Sequence, residues 1–376
     1  MNENIEKDLI PIIKSGFITQ GPKVEEFEHR LSEFIGNSFL LTLNSATAGL
    51  TLSLRLMMNK DDESEWPGFN KETDYVLTPA LTCFATTASI LANQVNIQWT
   101  DVDKLTGNVS LEDIKNKLNQ NTKVVYIVHW GGYPVDLDRL KNLQDEHYQK
   151  YGYRFMIVED CAHAFGAKYK NKNLGNHGNI CVYSLQAIKH LSCGDGGVIV
   201  LPNEKLYQRC KLLRWYGIDR DKRNYKGKDF RLENDIVESG YKFHMNDINA
   251  TIGLSNLPFI PELLEKNKKN CEYLYQKLSS HPDIILLERN SDRESANWLF
   301  TLKVNNKSAF IEKMKEFGIM TSQVHNRNDV HSCVKEYQIP LPNLDEFEKQ
   351  MICIPSGWWL SSEQLDYIIK KINLGW

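Results

Sequence analysis

The run FMIVED, residues 155–160, carries apolar, β-forming side chains up to two adjacent carboxylates, Glu159 and Asp160. A strand covered on both faces of a sheet reads as such a near-continuous apolar run, not as an alternation. The same pattern recurs at residues 39–43 (FLLTL), 75–78 (YVLT), 96–99 (NIQW), 124–129 (VVYIVH), 180–184 (ICVYS) and 197–201 (GVIVL). Residues 112–118 and 137–150 have helical spacing with charged outer faces. Strands alternating with amphipathic helices predict an α/β fold, a sheet sandwiched between helices. Beyond residues 247–256 the pattern changes. A long helical stretch (261–279) leads into a new strand (298–304), a helix (307–317) and a last helix (362–372). This predicts a large domain over residues 1–250 and a smaller C-terminal α+β domain over residues 251–376.

Composition excludes several functions. Hydrophobic residues make up 41% of the 376 and charged residues 25%, ordinary for a globular protein, and the net charge of -3 gives no electrostatic case for nucleic acid or an anionic membrane. No stretch has the apolar length of a membrane span or the pattern of a signal peptide, so a cytoplasmic protein is expected. The eight cysteines form no CxxC pair, and free buried thiols without a metal site are expected. Two charge-rich stretches, residues 60–74 and 219–235, read as exposed loops, the second equally as a flap over a site.

Open α/β sheets bind ligands beyond the carboxyl ends of their strands, which is where Asp160 falls. Such an aspartate either caps a helix or meets a cationic group of a ligand. Lys189 raises a parallel question. It lies in YSLQAIKHLSCGDGG (residues 183–197), between Ile188 and Leu191. Either its stem snorkels to water, or lost solvation lowers its pKa and frees the amine as a nucleophile. Pyridoxal 5'-phosphate requires both residues: an amine to condense with its aldehyde, and a carboxylate to keep the pyridine nitrogen protonated. It also needs an anion cradle. NSATAGL (residues 44–50) follows a strand and opens a helical stretch, where backbone N–H groups face outward. Ser45 as a plain N-cap is the alternative there. Ser184, at another strand end, offers a further hydroxyl.

Taken in chain order, TQGPKVEEF (19–27), NSATAGL, PALTCFAT (79–86), DVD (101–103), HWGGYP (129–134), EDCAHAFGA (159–167), the serine-to-lysine stretch and GYKFHMND (240–247) cover most of the chain. Together they resemble the DegT/DnrJ/EryC1/StrS family of sugar aminotransferases. The resemblance implies a fold-type I, aspartate aminotransferase-like architecture and pyridoxal phosphate as cofactor, with pyridoxamine 5'-phosphate as its amino form. It implies that Lys189 carries the cofactor, Asp160 pairs with the pyridine nitrogen, His163 lies near the ring, and Ala46, Thr47 and Ser184 hold the phosphate. Counting back from the GDGG turn places Lys189, and not His190, at the family's lysine position, which favours transamination over dehydration.

Three positions depart from the family pattern. Ala46 stands for a glycine. Cys83 stands for the aromatic over the cofactor, with Phe84 one residue later. Lys242 stands for the asparagine that a partner subunit lends to the phosphate. The resemblance further implies glutamate as amino donor, a nucleotide-linked keto-deoxysugar as acceptor, and a homodimer with shared active sites. Candidates for the sugar or its nucleotide are Lys23, Trp130, Tyr133, Arg214, Trp215, Tyr216 and His325 with its neighbours to Arg327. The alternatives are a pyridoxal-phosphate-dependent sugar dehydratase or lyase, an aminotransferase for a small phosphorylated ketone or keto-acid sugar, and a non-catalytic binding protein that retains the fold.

Overall fold

The computed structural model describes residues 2–220 and 235–376. Most of the expected 219–235 loop therefore lies outside the described residues. The chain opens with helices α1 (Ile5–Ser15) and α2 (Pro22–Ile35), strand β1 (Leu40–Leu43) and α3 (Ala46–Met57). Next come β2 (Tyr75–Pro79), α4 (Phe84–Ala92), β3 (Asn96–Thr100), α5 (Leu111–Lys117), β4 (Thr122–Val128), α6 (Leu137–Tyr151) and β5 (Met156–Asp160). After the short strands β6 (Lys168–Tyr169) and β7 (Lys172–Asn173) run β8 (Ile180–Ser184), β9 (Gly197–Val200), α7 (Glu204–Leu213) and α8 (Asp247–Asn256). The remainder is α9 (Ile260–Leu278), β10 (Ile284–Leu286), β11 (Arg293–Glu294), β12 (Phe300–Val304), α10 (Lys307–Glu316), α11 (Pro342–Gln350), β13 (Met351–Ile354) and α12 (Ser362–Ile372).

Seven strands form the main sheet in the order β1-β9-β8-β5-β4-β2-β3. It is the mixed, mostly parallel sheet of an α/β fold. Strands β8, β5, β4, β2 and β3 run parallel, and β9 is antiparallel to both of its neighbours. The apolar runs have the expected cause. Along β4, Val124 and Tyr126 enter one core while Val125 and Ile127 enter the core on the other face, so no position is left for water. Helix starts are set by local chemistry: Ser45 caps α3 by accepting from Ala48 N–H, and Asp136 caps α6 by accepting from Arg139 N–H. α12 opens on a full capping box, Ser361 with Gln364.

A third core, from Cys271 to Ile372, packs α9, α10 and α12 against the antiparallel sheet β10-β12-β13. α8 instead packs on α1 and α2. Strand β11 leaves the C-terminal part to pair with β6, forming a small sheet that the sequence did not announce. The 60–74 stretch is charged as expected but pinned. Trp66 is buried, its indole N–H donates to Met57 O at 2.8 Å, and Lys205 bonds Asp61 and Glu63.

Candidate active site

The parallel strands deliver their carboxyl ends to one rim. β5 ends on two buried carboxylates that face opposite ways because side chains alternate along a strand. Glu159 is fully engaged: Oε2 lies 2.8 Å from His129 Nε2, and Oε1 accepts from Asn179 at 2.7 Å. His129 Nδ1 accepts the Val135 N–H at 3.0 Å, which puts the ring proton on Nε2, donated to Glu159. Burial opposes ionisation of Glu159, but the bonds from His129 and Asn179 hold its carboxyl below the usual value. Cys161 joins this pair, with ligand-type atoms of the three within 4.8 Å of one another. The lone pair of His129 is already committed to Val135, so the trio reads as a satisfied internal brace.

Asp160 is different. Its Oδ2 accepts from Thr86 Oγ1 at 2.7 Å and its Oδ1 from Ala162 N–H at 3.1 Å. Thr86 lies in the first turn of α4, and its hydroxyl meets that of Thr82 at 2.9 Å. Burial pushes the Asp160 carboxyl above its ordinary pKa; Thr86, Ala162 and the charge of Lys189 pull the other way. This is a carboxylate oriented from behind, ready for a cationic partner.

Lys189 follows β8. Burial lowers its pKa to about 8, opposed by Asp160 and Cys83. Its Nζ sits 3.7 Å from the ring centroid of Trp298 and, among the described residues, makes no hydrogen bond. His163 stacks on the same indole at 4.0 Å and 21°, and lies parallel to His325 at 5.4 Å with their Nε2 atoms 3.4 Å apart. Trp130 meets both imidazoles edge-on. Burial, with help from Lys189, pushes His163 well below the usual histidine value and His325 to about 4, so both are neutral at neutral pH. His163 Nδ1 is buried with no partner among the described residues. His190 is turned elsewhere: its Nε2 bonds Ala296 O at 2.9 Å.

The cradle forms where Ser184 and Leu43 both stand opposite Gly197 in register. A Cβ on Gly197 would come within 2.4 Å of the Ser45 backbone, so only glycine lets β9 run under the start of α3. Ala46 and Thr47 lie in the first turn of α3, whose N–H groups have no intrahelical acceptor. Lys242 lies close by: it is exposed, and its carbonyl accepts from Asn44 at 3.3 Å. Cys83 is exposed just before α4, its carbonyl accepting from Asn328 at 3.3 Å.

The remaining candidates have other surroundings. Arg214 is buried against Glu28 and donates to Thr42 O at 3.0 Å, which occupies its guanidinium beneath β1. Lys23 is paired with Glu26 at 2.7 Å on the surface of α2. The Tyr133 hydroxyl accepts from Asn290 N–H at 2.7 Å, and Trp130 donates to Thr301 Oγ1 at 3.1 Å. Trp215 packs on His244 at 3.8 Å, while Tyr216 is partly exposed. Arg327 is clasped by Asp329 through two bonds of 2.7 Å. Of the substrate candidates, Trp130 and His325 are thus the ones brought to His163. Sequence reasoning missed Trp298 and Thr86. Thr86 stood inside a quoted motif, whereas Trp298 read only as the start of a strand.

These residues fit pyridoxal phosphate: an amine with no hydrogen bond among the described residues, an oriented carboxylate that feels its charge, an unpartnered imidazole nitrogen on the same indole and, at the end of the strand beside that of Asp160, a glycine-floored helix start. The model of the DegT/DnrJ/EryC1/StrS aminotransferase family matches residues 1–373. The chain belongs to that family. It is accordingly a pyridoxal-phosphate-dependent sugar aminotransferase family member with the fold-type I architecture. The sugar aminotransferase CalS13 from Micromonospora echinospora is 40% identical with a TM-score of 0.93, over 100% of this chain and 98% of that one. AtS13 from Actinomadura melliaura matches with 40% identity and a TM-score of 0.93, over 100% of this chain and 96% of that one. The PLP-form of Spr1654 from Streptococcus pneumoniae is 25% identical with a TM-score of 0.86, over 100% of this chain and 96% of that one.

Proposed function

We propose that this aminotransferase moves an amino group from glutamate to a nucleotide-linked keto-deoxysugar, as a cytoplasmic homodimer whose partner subunit completes each site. The observation that carries the reading is the pairing of Lys189, a half-buried amine with no hydrogen bond among the described residues, with Asp160, a carboxylate held by Thr86 and Ala162. Pyridoxal phosphate supplies an aldehyde that takes up the amino group and a protonated ring that drains charge from the adjacent carbon.

The chain's own residues do the rest. With the cofactor bound, Asp160 would pair with the ring nitrogen and keep it protonated. Thr86 and Ala162 keep that carboxylate from turning away. Lys189, with a pKa of about 8, both accepts and returns protons near neutral pH. The neutral His163, its Nδ1 without a partner among the described residues, would offer that atom to the ring. Ala46, Thr47 and Ser184 would hold the phosphate, with Lys242 at their edge. His190, committed to Ala296 O, does not stand in for Lys189, which supports transfer over a histidine-driven elimination.

The test has two stages. Borohydride reduction of the yellow holoprotein followed by peptide mapping is expected to find the cofactor on Lys189; a label on another residue, or none, refutes the assignment. Glutamate is then expected to bleach the visible band, and a panel of nucleotide-linked keto-sugars to restore it with formation of an aminated product detected by mass. A panel that leaves the band bleached, while a small phosphorylated ketone restores it, overturns the acceptor class.

A further inference from the structure

The indole that meets Lys189 is fixed more firmly than a lining side chain needs to be. Trp298 Nε1 donates to Ile188 O at 3.1 Å, in the lysine's own loop. Its backbone N–H donates to Gly131 O at 2.9 Å, and Ala296 N–H donates to Gly132 O at 3.0 Å. His190 bonds Ala296 O at 2.9 Å, Arg289 donates to Asn297 Oδ1 at 2.6 Å, and His163 stacks on the ring. Gly132, at φ 95°, makes the approach sterically feasible: a Cβ there would lie 2.7 Å from His163 O and 3.1 Å from Asn297 N. Elements from three parts of the chain thus converge to hold one aromatic face against one amine.

We propose that Trp298 is a positioning residue for Lys189, its indole face holding the lysine's ammonium in reach of the reacting carbon whenever that nitrogen is not covalently engaged. This rests on the transaminase reading, in which Lys189 is released each time the amino group is on the cofactor. A freed lysine needs a seat that fixes its position without fixing its proton. A carboxylate partner would hold the proton too strongly for it to be passed on, and bulk water would let the side chain swing away. An aromatic face attracts the cation without accepting its proton. The other titratable groups that act on Lys189 are Asp160, from β5, and Cys83, at the start of α4. His163, His190 and His325 feel its charge in turn and are neutral near pH 7.

The test reads the lysine directly, without turnover. In the full-length chain freed of cofactor, competitive trace acetylation across pH, followed by peptide mass spectrometry, gives the titration midpoint of Lys189 alone. Trp298→Phe and Trp298→Leu both lose the indole N–H but differ in the aromatic face. The Phe variant is expected to titrate about half a pH unit above the Leu variant. Equal midpoints, or the reverse order, overturn the proposal. A second series guards against misfolding of the Leu variant: biosynthetic replacement of tryptophan by mono-, di- and trifluorinated analogues keeps the shape and weakens the ring face. The Lys189 midpoint is expected to fall stepwise with fluorine number, and a flat series refutes the proposal. If borohydride trapping fails while this series slopes, the transaminase reading is wrong and the cation seat stands; the converse result removes the seat alone.

Discussion

The two ends of the parallel strands treat buried polar groups in opposite ways. At the amino ends, Lys123 Nζ donates to Tyr153 Oη at 2.8 Å and to Gln120 O at 3.0 Å, with Asp74 at 3.7 Å. Each ring nitrogen of His147 faces a backbone carbonyl there, Tyr153 O at 3.0 Å and Asn119 O at 3.1 Å. At the carboxyl ends, Lys189 Nζ and His163 Nδ1 have no hydrogen bond among the described residues. Burial lowers the pKa of both lysines, so burial does not distinguish them. What differs is satisfaction. Folds pair most of their buried polar groups; unpaired atoms also occur elsewhere in this chain, Arg55 Nε and Asn267 Oδ1 among them, but here an open amine and an open imidazole nitrogen share one indole.

Removing the unpaired lysine is the hardest test of that contrast. Lys189→Met is expected to abolish turnover, by about 10⁴-fold or more in kcat, while the variant stays folded with no partner left stranded. Single-turnover assays with glutamate and circular dichroism measure the two halves. Retained turnover would break the comparison at its centre.

The adjacent carboxylates at the end of β5 repeat the contrast at a distance of one residue. Asp160→Asn is expected to slow the glutamate half-reaction by about 10³-fold with little loss of stability, because its neighbours can still bond an amide. Glu159→Gln is expected to cost about 1–3 kcal/mol in denaturant unfolding, because the His129 N–H and the Asn179 amide lose an ionised acceptor. Its effect on rate should stay within about tenfold. If the two variants exchanged phenotypes, the division between brace and site would be wrong.

The pH dependence of stability sharpens the same point without activity. Free Lys189 has its pKa lowered from 10.5 to about 8 in the fold. Between those values the unfolded chain keeps a proton that the native chain has shed, so native stability rises with pH across that window and is flat on either side. In cofactor-free protein, the stability of the wild type relative to Lys189→Met should therefore climb by about 3 kcal/mol at most from pH 7.5 to 10.5. A constant difference in urea midpoints would put the ammonium in water.

Much of this site was legible in the sequence, and the reason is local. Asp160, Ser184 and the start of α3 follow directly from apolar runs, because a strand end and a helix start are adjacent in the chain to the residues they position. The seven main strands were found to within two residues at each end for the same reason. β13 and α11 were not, since MICI between two polar stretches gives too short a signal beside a helix end. Trp298 was invisible for a different reason. Its place depends on Gly131 and Gly132 lying against Ala296 and Asn297, more than 160 residues further on. Arg214 is the opposite case: it was a candidate for the sugar or its nucleotide, and the structure has Glu28 beside it.

The smallest expected effect is at the saturated end. In Lys123→Met the side chain keeps its length and its apolar stem but loses three interactions. The Tyr153 hydroxyl still donates to Gln120 O at 2.6 Å, and Asp74 still accepts from Asn70 N–H at 2.7 Å, so part of the network closes over the loss. The residual cost is that of an ion pair broken on one side in a partly buried place, about 1–2 kcal/mol in urea unfolding, with kcat within about twofold of wild type. The methionine also relieves the desolvation of the ammonium, which limits the loss. A kcat loss comparable to that of Lys189→Met would mean that the two ends of the sheet are coupled, and that hydrogen-bond satisfaction does not separate structural from functional lysines in this protein.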